Sequence, residues 1–76
     1  MIKVYSKPNC MQCNFTKKYL EDKGIEFKEI NIMDNPESVE ELKLYGFNSM
    51  PVVANGSLDD AWSGFRPERL EELPHD

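Results

Sequence analysis

Two short apolar runs flank a helix-length segment at the start of this chain, and that order restricts the fold more than any other feature. Ile2-Lys3-Val4-Tyr5 alternates apolar and polar residues with β-branched members, so it reads as a strand. Lys7-Pro8-Asn9 then breaks it, because proline lacks a ladder donor and restricts the residue before it. From about residue 11 to Lys23, Cys13, Thr16 and Leu20 recur at spacings of three and four, with Tyr19 beside them. Lys17 and Lys18 take the outer side of this helix, and Gly24 is its expected left-handed stop. Ile25 to Ile32 is the second strand, although its alternation slips between Phe27 and Ile30 and leaves the register open. Two strands joined through a helix require a parallel pair and a right-handed crossover.

The rest of the chain supplies the other elements. Asp34-Asn35-Pro36-Glu37 carries a capping side chain, a first-turn proline and an acid facing the positive end of a helix. Val39, Leu42 and Tyr45 form the inward stripe of that helix, and Gly46 ends it. Pro51-Val52-Val53-Ala54 and Ser57 to Trp62 are strands joined at Asn55-Gly56, a dipeptide suited to a tight antiparallel hairpin. Pro67 opens a last short helix with Leu70 and Leu73 inward and Pro74 as its stop. The order strand, helix, strand, helix, strand, strand, helix is an α/β pattern. Its simplest assembly is a four-stranded mixed sheet with helices on both faces, as one domain spanning residues 1–76.

Size and charge exclude several classes. A chain of 76 residues buries only about 60% of its unfolded surface, so it needs a staple or close packing. Its two cysteines form at most one bridge, which excludes a disulfide-rich secreted scaffold. The net charge of -5 is the wrong sign for phosphate neutralisation, so no nucleic-acid partner is expected. No apolar run approaches the roughly 20 residues of a membrane span, and the first residues lack the apolar core of a signal peptide. The expectation is a cytoplasmic monomer with no membrane association. Charge is also uneven: residues 1–28 carry +3 and residues 29–76 carry -8. The cysteines lie in the basic part.

Cys10-Met11-Gln12-Cys13 sits where the first strand's loop meets its helix. A C-x-x-C beside a βαβ unit in an intracellular protein points to thioredoxin-like redox chemistry. Cys10, at the helix mouth, faces unpaired backbone N–H groups and the positive end of the helix dipole, which favour the nucleophilic thiolate. Lys7 is a further positive charge nearby. Cys13, three residues on, returns to the same side one turn inward, where a shielded thiol suits a resolving role. Three other readings compete. A structural disulfide here closes a loop of about four residues and restrains the unfolded chain by only ~2 kcal/mol. A zinc site needs four ligands, and the one histidine, His75, lies in the tail beside Asp76, so no metal is expected. Two buried thiols acting as small apolar residues are the third. Met50-Pro51 is either an ordinary strand start or a cis proline presenting the Met50 backbone to an extended partner segment.

Val4-Tyr5-Ser6-Lys7-Pro8-Asn9 leading into Cys10-Met11-Gln12-Cys13, then Thr16-Lys17, Gly46-Phe47, Met50-Pro51-Val52-Val53 and Trp62-Ser63-Gly64-Phe65-Arg66-Pro67 carry a resemblance nearly from end to end. The chain resembles the glutaredoxin-like branch of the thioredoxin superfamily, and more closely the NrdH-redoxin family. The resemblance implies a thioredoxin/glutaredoxin-like fold and a thiol-disulfide oxidoreductase that reduces protein disulfides. It implies that Cys10 attacks, Cys13 resolves and Pro51 is cis. Electrons would come from NADPH through the flavoprotein thioredoxin reductase and pass to the large subunit of class Ib ribonucleotide reductase, with no bound cofactor. Lys7, Met11, Gln12, Met50, Pro51 and the turn Trp62, Ser63, Gly64, Phe65 and Arg66 are the candidate partner-facing residues. Trp62 and Phe65 are equally candidates for core packing, and Arg66 is either a surface cation or the donor that fixes the turn. Phe15 and Met50 stand where smaller residues are usual in the family. The chain has neither a Pro-Tyr between the cysteines nor a Gly-Gly-x-Asp after the last strand, so the alternative of a glutathione-dependent glutaredoxin is the weaker fit. A non-catalytic thiol or metal-binding domain is the remaining alternative.

Overall fold

Val4, Val52 and Val53 have no exposed surface because they lie in the two central strands of a sheet covered on both faces. The structure, a computed structural model, describes residues 1–73; the expected stop at Pro74 and the tail residues His75 and Asp76 lie outside them. The elements follow in the expected order: β1 (Ile2–Ser6), α1 (Met11–Asp22), β2 (Phe27–Asn31), α2 (Pro36–Leu44), β3 (Val52–Asn55), β4 (Ser57–Ser63) and α3 (Pro67–Leu70). The sheet order is β2-β1-β3-β4. β1 and β2 are parallel, with Val4 opposite Glu29, whereas β3 runs antiparallel to both β1 and β4.

Alternation along the central strands divides the core in two. Ile2, Val4 and Val53 pack with Leu20, Ile25, Trp62, Leu70 and Leu73, under α1 and α3. Tyr5, Val52 and Ala54 pack with Leu42 and Leu58, under α2. Burial on both faces explains why Pro51 to Ala54 read as a continuous apolar run.

The helix stops account for the small differences from expectation. At the end of α1, Gly24 N–H donates to Glu21 O (3.1 Å) and Ile25 N–H to Leu20 O (2.9 Å), with Gly24 at φ +69°. This glycine-centred stop satisfies two orphan carbonyls and packs Ile25 against the helix it leaves. Ile25 therefore belongs to the cap, and the strand starts two residues later. Gly46 repeats the arrangement at φ +84°, with Gly46 N–H to Lys43 O (3.0 Å) and Phe47 N–H to Leu42 O (3.0 Å). Tyr45 is the cap residue there and is 48% exposed, so it leaves the inward stripe. Leu42 alone in α2 is buried, with Val39 half-buried. Asn35 precedes α2 without capping it; its side-chain amide donates to Asn31 O (3.0 Å) instead.

Candidate active site

The loop from β1 into α1 passes through Asn9 at φ +59°, a left-handed conformation that asparagine tolerates. Cys10 follows in extended conformation as the N-cap of α1. Its sulfur accepts the backbone N–H of Cys13 at 3.1 Å, satisfying one of the donors that a helix start leaves unpaired. Cys10 and Cys13 are joined as a disulfide, with Cα atoms 5.2 Å apart. Cys10 is 9% exposed and Cys13 1%, the order expected of an outer and an inner sulfur. The first turn of α1, Met11-Gln12-Cys13, contains no acid to oppose negative charge at Cys10. Lys7 is exposed in the loop before it.

A second segment closes on this one. The Met50-Pro51 peptide is cis, and the Met50 carbonyl oxygen stands 3.9 Å from Cys10 Sγ. The Met50 side chain turns to the α2 face and packs against the smaller core cluster. Pro51 O accepts Gly64 N–H at 2.8 Å, which ties the turn after β4 to the proline. Four more bonds hold that turn. Ser63 Oγ donates to Ser49 O (3.1 Å) and lies 2.8 Å from Ser49 Oγ; Arg66 Nε donates to Ser63 O (3.0 Å). Gln12 Oε1 accepts Phe65 N–H at 3.1 Å. One of the two residues between the cysteines thus reaches the turn 53 positions later. Trp62, on β4, is buried on the α1 and α3 side of the sheet with the Arg69 guanidinium 4.9 Å from its ring centroid, a cation–π contact.

A glutaredoxin family model matches residues 2–58. The chain is 49% identical over 73 residues to the glutaredoxin-like protein NrdH of Lactococcus lactis, covering 96% of this chain and 99% of that one. It is 43% identical over 77 residues to the glutaredoxin-like protein NrdH of Escherichia coli, covering 97% and 93%. This chain belongs to the NrdH-type glutaredoxin-like proteins. The structure of NrdH-redoxin from Escherichia coli superposes with a TM-score of 0.90 at 40% identity, covering 99% of this chain and 96% of that one. The protein is a thiol-disulfide oxidoreductase of thioredoxin-like fold, with Cys10 and Cys13 as its C-x-x-C pair.

Within this NrdH-type site, the structure brings Gln12, Pro51, the Met50 backbone and Ser63 to Phe65 into one cluster around the disulfide. Arg66 serves as the donor that fixes the turn, one of its two expected roles. Trp62 is a core residue. Met11 projects outward, 70% exposed. Sequence reasoning missed Ser49, which no pattern separates from an ordinary loop serine, and the bond made by Gln12. It also missed a polar cluster beside α1. Ser6 Oγ donates to Glu29 Oε2 at 2.8 Å and Lys17 Nζ donates to the same oxygen at 2.7 Å. The bonds from Lys17 and Ser6 outweigh burial and hold the Glu29 carboxyl below the usual glutamate range. On the other face, burial and then the Glu41 carboxylate push the Tyr5 phenol up. Among the described residues no helix is long and apolar enough to cross a membrane.

Proposed function

We propose that this protein is a cytoplasmic dithiol electron donor that reduces disulfides in partner proteins. The Cys10 thiolate attacks one sulfur of the target disulfide, forming a mixed disulfide and expelling the other target sulfur as a thiolate. Cys13, deprotonated, then attacks Cys10 Sγ, forming the Cys10–Cys13 disulfide and releasing the second target thiolate. The two target thiolates take up two protons, and two electrons have left the dithiol. A separate reductase restores it, and no bound cofactor is needed.

The observation that carries this reading is the inequality of the two sulfurs. Cys10 sits at the start of a 12-residue helix and accepts the Cys13 N–H, while Cys13 is shielded behind it. A helix start favours the anion, and the thiolate is the attacking species. Lys7, Met11, Gln12, the Met50-Pro51 backbone and residues 63–66 form the surface that meets the partner, with Trp62 buried beneath the turn. An extended partner segment pairs with the Met50 backbone beside Cys10. The Escherichia coli neighbour is described as a glutaredoxin-like protein with a thioredoxin-like activity profile. On that likeness, electrons reach this chain from NADPH through the flavoprotein thioredoxin reductase and leave for the large subunit of class Ib ribonucleotide reductase.

NADPH consumption with that subunit as acceptor tests the route, using either thioredoxin reductase or glutathione with its reductase. Turnover with thioredoxin reductase is expected; activity only in the glutathione system would make the protein a glutathione-dependent glutaredoxin. Cys10→Ser is expected to abolish turnover and Cys13→Ser to accumulate the mixed disulfide. Full multiple turnover by Cys10→Ser would falsify the roles. Near-stoichiometric metal with masked thiols in reduced protein would favour a metal-binding domain instead.

A further inference from the structure

Phe15 is a large apolar side chain that the fold leaves half in water beside the redox site. It lies on α1 at 49% exposure, with its ring centroid 5.9 Å from that of Phe65 and the planes tilted by 54°. The two rings, with Lys18, Tyr19 and Asp22, line an open depression of about 360 Å3 between α1 and the turn after β4. Gln12 accepts the Phe65 N–H from its place between the cysteines, so the depression begins within one helical turn of the disulfide. Met11 is four residues before Phe15, on the same side of the helix, and is 70% exposed. An open depression floored by aromatic rings and rimmed by charged side chains marks a contact site.

We infer that this depression receives a large apolar side chain from the protein whose disulfide is reduced, and that Phe15 and Phe65 set which disulfides are reduced fastest. The inference rests on Cys10 being the attacking sulfur. The occupant follows from continuity with that site: Cys10 is 9% exposed, so a protein chain whose disulfide it attacks lies against the groups around it. The occupant's chemistry follows from the lining. Lys18 Nζ and Asp22 Oδ2 are 3.7 Å apart, so the far rim carries both signs, and the ring-lined floor favours an uncharged, apolar group. Its spacing follows from helix geometry. Phe15 is five residues after Cys10, about 7.5 Å along a helix rising 1.5 Å per residue. An extended segment at about 3.3 Å per residue covers that distance in two to three residues. The favoured substrate class is therefore an extended segment with Leu, Met or an aromatic residue two or three positions from the attacked cysteine.

The test uses the full reduced chain and synthetic peptides with one cysteine capped by 2-nitro-5-thiobenzoate, the better leaving group, whose release is coloured. A leucine is moved from one to four residues on either side of that cysteine in an otherwise polar sequence, and a small chain-free disulfide serves as the reference for thiol chemistry. Reduction is expected to peak with leucine two or three residues away on one side. The second-order rate constant of a single turnover, read from thiobenzoate release, is there about tenfold above that of the all-polar peptide and is carried by tighter peptide binding, as partial burial of one large apolar side chain provides. Phe15→Ala should bring that ratio close to one, and Phe15→Leu should keep most of it. A flat leucine series, or a preference that survives Phe15→Ala, would overturn the inference while leaving the reductase reading intact. Failure of the wild-type chain to reduce even the small disulfide would instead overturn the reductase reading, and the inference with it.

Discussion

Gln12 joins two parts of the site through a single atom, since its Oε1 is the acceptor for Phe65 N–H. The bond is exposed and neutral, so its removal costs at most about 1 kcal/mol of stability. Its local effect is larger. In Gln12→Ala the Phe65 amide loses its acceptor and is expected to exchange with solvent faster, while Val53 at the sheet centre does not; equal protection of Phe65 in both proteins would count against the link. Gln12→Glu retains an acceptor but adds a negative charge to a first turn that has none. It should therefore disfavour the Cys10 thiolate. Alkylation of the reduced protein by iodoacetamide at neutral pH is expected to slow several-fold, and an unchanged rate would show that Cys10 does not sense the helix start. Glu29 makes a separate, pH-dependent contribution. Its folded pKa is depressed by Lys17 and Ser6, so the unfolded chain binds the proton more readily and stability rises with pH. The contribution is present above the ordinary glutamate value, about 4.3, and is lost as pH falls through the lower folded value. With its side chain 42% exposed, solvent screening keeps it modest. Glu29→Gln should be less stable than wild type at pH 6 and converge with it at lower pH, which acid-unfolding curves of the two proteins will show.

At the scale of elements, glycine placement and apolar spacing made most of the fold legible. Both Gly24 and Gly46 stop helices in the left-handed region, and Cys13, Thr16 and Leu20 are all buried on α1. Room is available at Gly24, where an added Cβ meets nothing within 4 Å, so the cost of substitution is conformational. Gly24→Ala should therefore destabilise by about 1–2 kcal/mol through strain alone, as measured by denaturant unfolding. A smaller value would mean that the cap rearranges. What escaped the sequence escaped for physical reasons. Periodicity assigned Tyr45 to the buried stripe of α2, but the helix ends at Leu44 and the Gly46 turn rotates the next side chain into water. Ile25 is apolar and β-branched, which is equally good chemistry for a strand or for the residue after a glycine cap. The C-x-x-C pair was legible as redox chemistry because its spacing and its place before a helix are local. The bonds Gln12–Phe65, Gly64–Pro51 and Ser49–Ser63 were not, because each joins residues that only the folded sheet brings together.

Across the whole molecule the two sides of the sheet are unequally anchored. The α1 and α3 side buries Leu20, Ile25, Trp62, Leu70 and Leu73 against the sheet. The α2 side rests on Leu42 among the buried residues of its helix, and α2 starts without a side-chain cap. Local opening costs least where few apolar groups are lost from the core. The disulfide and the Gln12–Phe65 bond also belong to α1, so the redox site is built on the better-anchored layer. Reduction of the disulfide can then proceed without loosening the helix that presents Cys10, which repeated turnover requires. Amide exchange should therefore separate the layers: α2 amides from Val39 to Leu44 exchange by local opening, while those of β1, β3 and the second half of α1 exchange only near the global unfolding free energy. The ranking is expected in both the oxidised and the reduced protein. Protection of α2 equal to that of β1 would show that the sheet and both layers open as one unit. A reduced protein in which α1 exchanges faster than α2 would place the disulfide, rather than the packing of Leu20, as the anchor of that helix.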